Sequence, residues 1–115
     1  MFVYFMKCLS YIKIGYTTSN LYHYRSQKQS ANPFKIKYIG LIPCNSEQEM
    51  KEKEDALKKK FKHLKHRNEW FHGVPELLKY IKDHVKKPDS YVNAAYEEKK
   101  ESDKRQRQKR KTKNQ

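Results

Sequence analysis

The sequence predicts an α/β chain of the α+β type: a small three-stranded antiparallel sheet flanked by helices, in the order β-β-α-β-α-α, with a disordered basic C-terminal tail. Three observations carry this expectation. Two runs rich in β-branched and aromatic residues open the chain, a third alternating run follows a proline, and two stretches of helical periodicity come after it. The expected domain covers residues 1–86 and the tail 87–115.

The first two runs are Phe2-Val3-Tyr4-Phe5-Met6 and Tyr11-Ile12-Lys13-Ile14-Gly15-Tyr16-Thr17. Only four residues separate them, so they read as an antiparallel hairpin. Side chains alternate between faces along a strand. Ile12 and Ile14 make a purely apolar face, which is assigned to the core together with Val3 and Phe5. Tyr4 and Lys13 then share the other face, expected to be open.

Ser19 and Asn20 are good helix caps for a short helix from about Leu21 to Gln29. Leu21, Tyr24 and Lys28 fall at helical spacing. Arg25, which precedes every other arginine in the chain, lies one position past Tyr24. It is either a solvated helix charge or the flank of a cleft. Asn32-Pro33 comes next and ends the helix, because the residue before a proline is pushed out of the α region. From Phe34 to Ile42 the chain alternates: Phe34, Ile36 and Tyr38 on one face, Lys35 and Lys37 on the other. Pro43 ends this third strand.

Ser46 with Glu49 forms a capping-box pattern, and a long helix is expected from there to about His66. Its apolar stripe is Met50, Leu57, Phe61 and Leu64. Glu54 stands in the middle of that stripe. A carboxylate facing a core is costly unless it is paired or holds a metal. It either reaches an edge, pairs with a lysine, or serves a site. Trp70 and Phe71 read as closure of the core. Pro75 starts a last helix with Leu77, Leu78, Ile81 and Val85 on its apolar face. Tyr91 to Tyr96 allows a helical turn. Beyond it the chain is charged and polar, and Lys104 to Lys113 suits phosphate contacts or a nuclear localisation patch.

Length and composition set the bounds. A chain of 115 residues suggests one domain, and a mean hydropathy of −1.19 leaves it a small core. No apolar run is long enough for a membrane span, and no signal-peptide pattern opens the chain. Cys8 and Cys44 do not make a disulfide framework, so an intracellular setting, cytoplasm or nucleus, is expected. His63 and His66 lack partners at zinc spacing. Net charge is +14. Residues 1–85 already hold 16 Lys and Arg against 8 Asp and Glu, so the excess is not a property of the tail alone. That balance favours a polyanionic partner, nucleic acid above all.

In this order, six pieces resemble the GIY-YIG endonuclease superfamily, and most closely a phage-type DNA-binding branch grouped with a meiotically up-regulated gene. They are Val3-Tyr4-Phe5, Ile12 to Thr17, Arg25, Asn32-Pro33, Glu54 with Leu57 and Phe61, and Glu69-Trp70-Phe71. The resemblance spans about residues 2 to 85. It implies a metal-dependent endonuclease acting on DNA, of viral or phage origin or from a cell. Tyr4 would activate the attacking water or orient the phosphate, and Arg25 would stabilise charge on it. Glu54 would hold one divalent metal, magnesium or else manganese. Gly15 would let the sheet lie close to a helix or the substrate. Lys13 replaces the tyrosine of the second motif and is expected to lower the phenol pKa of Tyr4 or to contact phosphate. Phe2 stands where the first motif has glycine, and Gln29 where a histidine is often found. Tyr16, Lys28, Lys35 and Lys37 are expected to line the DNA path with Gly15. Two rivals remain: a non-catalytic DNA-binding module on the same fold, and a protein-interaction or ribosome-associated basic protein whose tail matters most. DNA versus RNA and the oligomeric state stay open.

Overall fold

A computed structural model describes residues 1–113, with side chains as far as Lys104. The hairpin forms as its sequence pattern requires. Strand β1 is Phe2–Cys8 and β2 is Tyr11–Thr17, paired antiparallel with Tyr4 opposite Gly15 and Met6 opposite Lys13. Helix α1, Leu21–Ser30, is capped by Asn20, whose side chain accepts from the His23 amide. Strand β3, Ile36–Pro43, pairs with the free side of β1. Gln29 ties α1 to it: its side chain donates to the carbonyls of Asn32 and Phe34 and accepts from the Ile36 amide.

Helix α2, Glu47–Lys60, starts at the expected box. Ser46 Oγ accepts from the Glu49 amide, and Glu49 reaches back to the amide of Asn45, one residue before the cap. The helix stops earlier than its periodicity predicts. Phe61 caps it, a single 3-10 turn comes next at Lys62–Leu64, and the chain then becomes extended.

Here the three-stranded expectation is corrected. Two short strands, β4 (Lys65–Arg67) and β5 (Trp70–His72), make a tight hairpin and add to the sheet. The result is a five-stranded antiparallel sheet in the order β3-β1-β2-β5-β4. Strands of three residues carry too little pattern to announce themselves. Their pairing is fixed by Phe71, which is buried in the core opposite Ile12. Helix α3, Pro75–His84, completes this part of the chain, with Pro75 in its first turn.

The sheet is covered on both faces. Val3, Phe5, Ile12, Ile14 and Phe71 pack under Met50, Leu57 and Phe61 of the α2 region and Leu77 and Ile81 of α3. The opposite face, expected to be open, is a second core of Tyr4, Met6, Ile36, Tyr38 and Leu41 under Leu21 of α1. Its remaining cover comes from the segment expected to be a disordered tail. That segment is helix α4, Asp89–Lys113. Ala95 is buried, Tyr91 meets Phe2 edge-on at 5.5 Å, and Tyr96 meets Tyr22 at 4.9 Å. Asn20 Nδ2 donates to the Ala95 carbonyl. Tyr91, Val92, Ala95 and Tyr96 form a stripe two turns long, enough to dock the start of the helix even though its remaining turns are polar in sequence. The phosphate or nuclear-localisation expectation for Lys104 to Lys113 concerns side chains almost wholly outside the described residues. No described helix is long and apolar enough to cross a membrane.

Candidate active site at the edge of the second strand

Strand β5 pairs with β2 only from Tyr11 to Lys13. Its upstream turn stays in contact for one further step, where the Ile14 amide donates to the Glu69 carbonyl at 3.3 Å. Beyond that point β2 has no partner on this side among the described residues. At this notch, groups from both faces of the sheet can meet.

From one face comes Glu54. It sits where the apolar stripe of α2 placed it, between Met50 and Leu57, and is only 7% exposed. Its carboxylate is not alone. Lys58, one turn later, donates from Nζ to Glu54 Oε1 at 2.7 Å and to Glu69 Oε1 at 3.2 Å. Partial burial works against the Lys58 charge, but the two carboxylates outweigh it and hold its pKa above the ordinary lysine value. Glu69, in the β4–β5 turn, uses its other oxygen for Lys13 Nζ at 3.5 Å. Lys13 projects on the opposite face and lies 6.0 Å from the centre of the Tyr4 ring. Tyr4 shares a hydrogen bond of 2.8 Å with the hydroxyl of Tyr24 on α1. One array therefore runs Glu54–Lys58–Glu69–Lys13–Tyr4–Tyr24 around the sheet edge.

Tyr4 and Lys13 share a face, as the alternation required. Tyr4 is nevertheless 1% exposed, and the expected lowering of its phenol pKa is reversed. Burial comes first in raising it, then the bond to Tyr24, with the negative charge of Glu69 adding to both. Lys13 cannot offset this while its ammonium is paired to Glu69. Tyr4 rests as a neutral phenol. Tyr38, buried beside it at 5.9 Å between ring centres, is raised for the same first reason, and its hydroxyl donates to the Leu21 carbonyl.

Gly15 is also buried, and its reason is local. A β-carbon there would lie 2.6 Å from the Tyr4 hydroxyl oxygen. The glycine seats the phenol; it is not an exposed contact. Arg25 is half-buried on α1, with its guanidinium 5.7 Å from the Tyr22 ring centre. It is joined to the array by no hydrogen bond, although its charge reaches the Tyr38 hydroxyl. Lys28 lies over the Tyr24 ring at 5.3 Å, on the α1 side of the site. Tyr16 is exposed, on the face of Ile12 and Ile14. Lys35 is exposed before β3. Lys37 pairs with Lys7 across β1 and β3 and lines a cleft with Lys82 and Lys86, on the side of the sheet away from Tyr4.

The sequence reading missed Lys58 and Tyr24 as members of the array, and it gave Glu69 no role beyond its place before Trp70 and Phe71. The Glu54-to-Lys58 spacing was a visible signal, since residues four apart on a helix are neighbours. The Tyr24 contact had none, because it depends on how α1 crosses the sheet. Glu54 and Glu69 direct oxygens at one ammonium. A hard cation suits such oxygen donors, with water and phosphate completing its shell, and these two residues would hold it in exchange for Lys58. Among the described residues no cluster of three or more His, Cys, Asp or Glu side chains stands ready for a metal, so any cation here would lean on its substrate.

No curated protein and no solved structure matches the chain. A family model, the T5orf172 domain, matches residues 1–87. That span takes in all five strands, α1 to α3 and every member of the array. The chain belongs to the T5orf172 domain family.

Proposed function

We propose that the protein binds DNA and hydrolyses its phosphodiester bonds at the β2 edge with one divalent metal, magnesium or manganese. The observation that carries this reading is the joining of Glu54 to Tyr4, from opposite faces of the sheet, through Lys58, Glu69 and Lys13. The basic surface and the family membership support a nucleic-acid partner.

Phosphodiester hydrolysis needs a positioned nucleophile and compensation of growing negative charge. Lys13 and Lys58 supply that charge once an incoming phosphate competes with the carboxylates for their ammonium groups. Tyr4, neutral and buried, keeps its proton and holds the hydroxyl of the half-buried Tyr24, through which it orients a phosphate oxygen or the attacking water. Its buried ring makes that orientation rigid. Glu54 and Glu69 would hold the metal, which supplies Lewis-acid activation of the phosphate or of a bound water. Arg25 screens the approach along α1.

One observation favours the second reading, a binding module without turnover: Lys58 already satisfies Glu54, so the buried carboxylate does not require a metal. Plasmid nicking with magnesium or manganese separates the two. The nuclease reading expects nicking by the wild type, lost by at least about a hundredfold in Glu54→Gln with DNA binding retained. Wild-type protein that binds but never nicks, across both metals, leaves the binding module.

A further inference from the structure

A cavity of about 320 Å³ opens beside the array, where the β1–β2 turn, the loop after α1 and the β4–β5 hairpin meet. Its walls are flat. Tyr11 stacks on His66 with ring centres 4.5 Å apart and planes 24° from parallel. Trp70 and Phe34 line it too, and Phe34 is 51% exposed. Arg67 and Asn68 add a guanidinium and a carboxamide to the lining. No carboxylate lines it. Leu9 and Asn68, both on the lining, hold the left-handed backbone conformation at φ 56° and 53°. For leucine that conformation is strained.

We infer that this cavity takes an unpaired nucleobase, so that the preferred substrate is single-stranded or locally unpaired DNA, such as a loop, bulge or flap, and not perfect duplex. The inference rests on the nucleic-acid reading of the array and names its substrate class. Bases freed from a stack are bound by aromatic faces and by polar groups on their edges. The walls and the two polar side chains provide both. A base whose two faces are covered by its neighbours in a duplex has no face left for these rings. The cavity is also continuous with the array. Trp70 is the cross-strand partner of Lys13, and Tyr11 lies two positions before Lys13 on the same face. Two strand positions are about 7 Å, a span that an unstacked nucleotide can bridge. A phosphate at Lys13 would thus put a base one or two nucleotides away at the mouth of the cavity.

The chain has one tryptophan, and it lies in this wall, so its fluorescence reports occupancy directly. The full chain is titrated with three DNA probes of equal length: a single strand, a fully paired duplex, and a duplex with one bulged base. The expected result is quenching of Trp70 by the single strand and the bulged duplex, with binding at least about tenfold tighter than to paired duplex. Phe34→Ala should remove about tenfold of the affinity for the unpaired probes, the size of one lost base–aromatic stack. It should change paired-duplex binding less than about twofold, because Phe34 carries no charge and its exposure makes the variant safe to fold. Arg67→Ala is the second variant; its loss should be larger for the bulged than for the paired duplex. If all three probes bind but Trp70 does not respond and Phe34→Ala binds like wild type, the base site is wrong while the nucleic-acid reading stands. If none of the probes binds, both fall together.

Discussion

Alanine at position 15 would bring a methyl carbon to 2.6 Å from the Tyr4 hydroxyl oxygen, and that oxygen is fixed by Tyr24. The phenol cannot swing away without leaving its partner. Gly15→Ala should therefore cost about 1–3 kcal/mol by overpacking and reduce nicking more than it reduces DNA binding; chemical denaturation and the plasmid assay check the two parts. Lys58→Met tests the other end of the array. It strands a carboxylate that is 7% exposed, and stability should fall by up to about 3 kcal/mol, the lower bound for a broken buried pair because Lys58 itself keeps contact with water. Magnesium should restore part of that loss if Glu54 and Glu69 accept a cation, and none of it in Lys58→Met/Glu54→Gln. The titrations of the array and its neighbour Tyr38 share one sign. Tyr4, Tyr38 and Lys58 all hold their protons more tightly in the folded chain than in the unfolded one. The stability these three groups contribute is thus complete below the ordinary phenol value of 10.0 and declines as pH rises past it. A thermal-melting series across alkaline pH should show this decline, and Tyr4→Phe should lessen it.

At the scale of elements, the β4–β5 hairpin and α4 do what the three-stranded outline left undone. The hairpin delivers Glu69 to the notch and Trp70 to its neighbour cavity. Its short strands are held by packing, so their formation depends on Phe71 finding Ile12 and not on local preference. Helix α4 covers the second core with Tyr91, Val92 and Ala95. Deleting residues 86–115 would therefore do more than remove charge: it would uncover the region of Phe2 and Leu21. Ala95→Glu should show the same effect in miniature, with a stability loss of about 1–3 kcal/mol and greater amide exchange in α1, since it forces a charge into a buried contact. Gly40 plays a comparable part on the other face, where a β-carbon would meet Val85 at 2.5 Å and Ile81 at 2.8 Å.

For the molecule as a whole, the proposed function assigns affinity to charge and chemistry to the sheet edge. Residues 105–115 carry six basic and no acidic side chains, and they come after the docked turns of α4. Ending the chain after Lys104 keeps the second core covered and removes that charge. DNA affinity should then drop at low salt and the slope of log K against log salt should flatten, while nicking at saturating DNA stays within about twofold. A loss of nicking equal to the loss of binding, even at saturation, would assign the tail a role in the chemistry.

Much of this was written in the sequence. Alternation paired Tyr4 with Lys13 on one face, the helical stripe pointed Glu54 inward, and proline and capping residues set the element ends close to where they fall. Those are local properties, fixed by periods of two and 3.6 residues and by the chemistry of single side chains. Three things were decided only by tertiary structure. The face of Tyr4 became a core because α1 and α4 meet over it, and burial then raised the phenol pKa against the expectation drawn from Lys13. Strands of three residues formed because an existing edge and a buried phenylalanine were there to receive them. The array closed because β5 pairs with β2 for only three residues, leaving a notch through which Lys58 and Glu69 join two faces of a sheet. Spacing along the chain does not encode that meeting; it depends on where one strand stops alongside another.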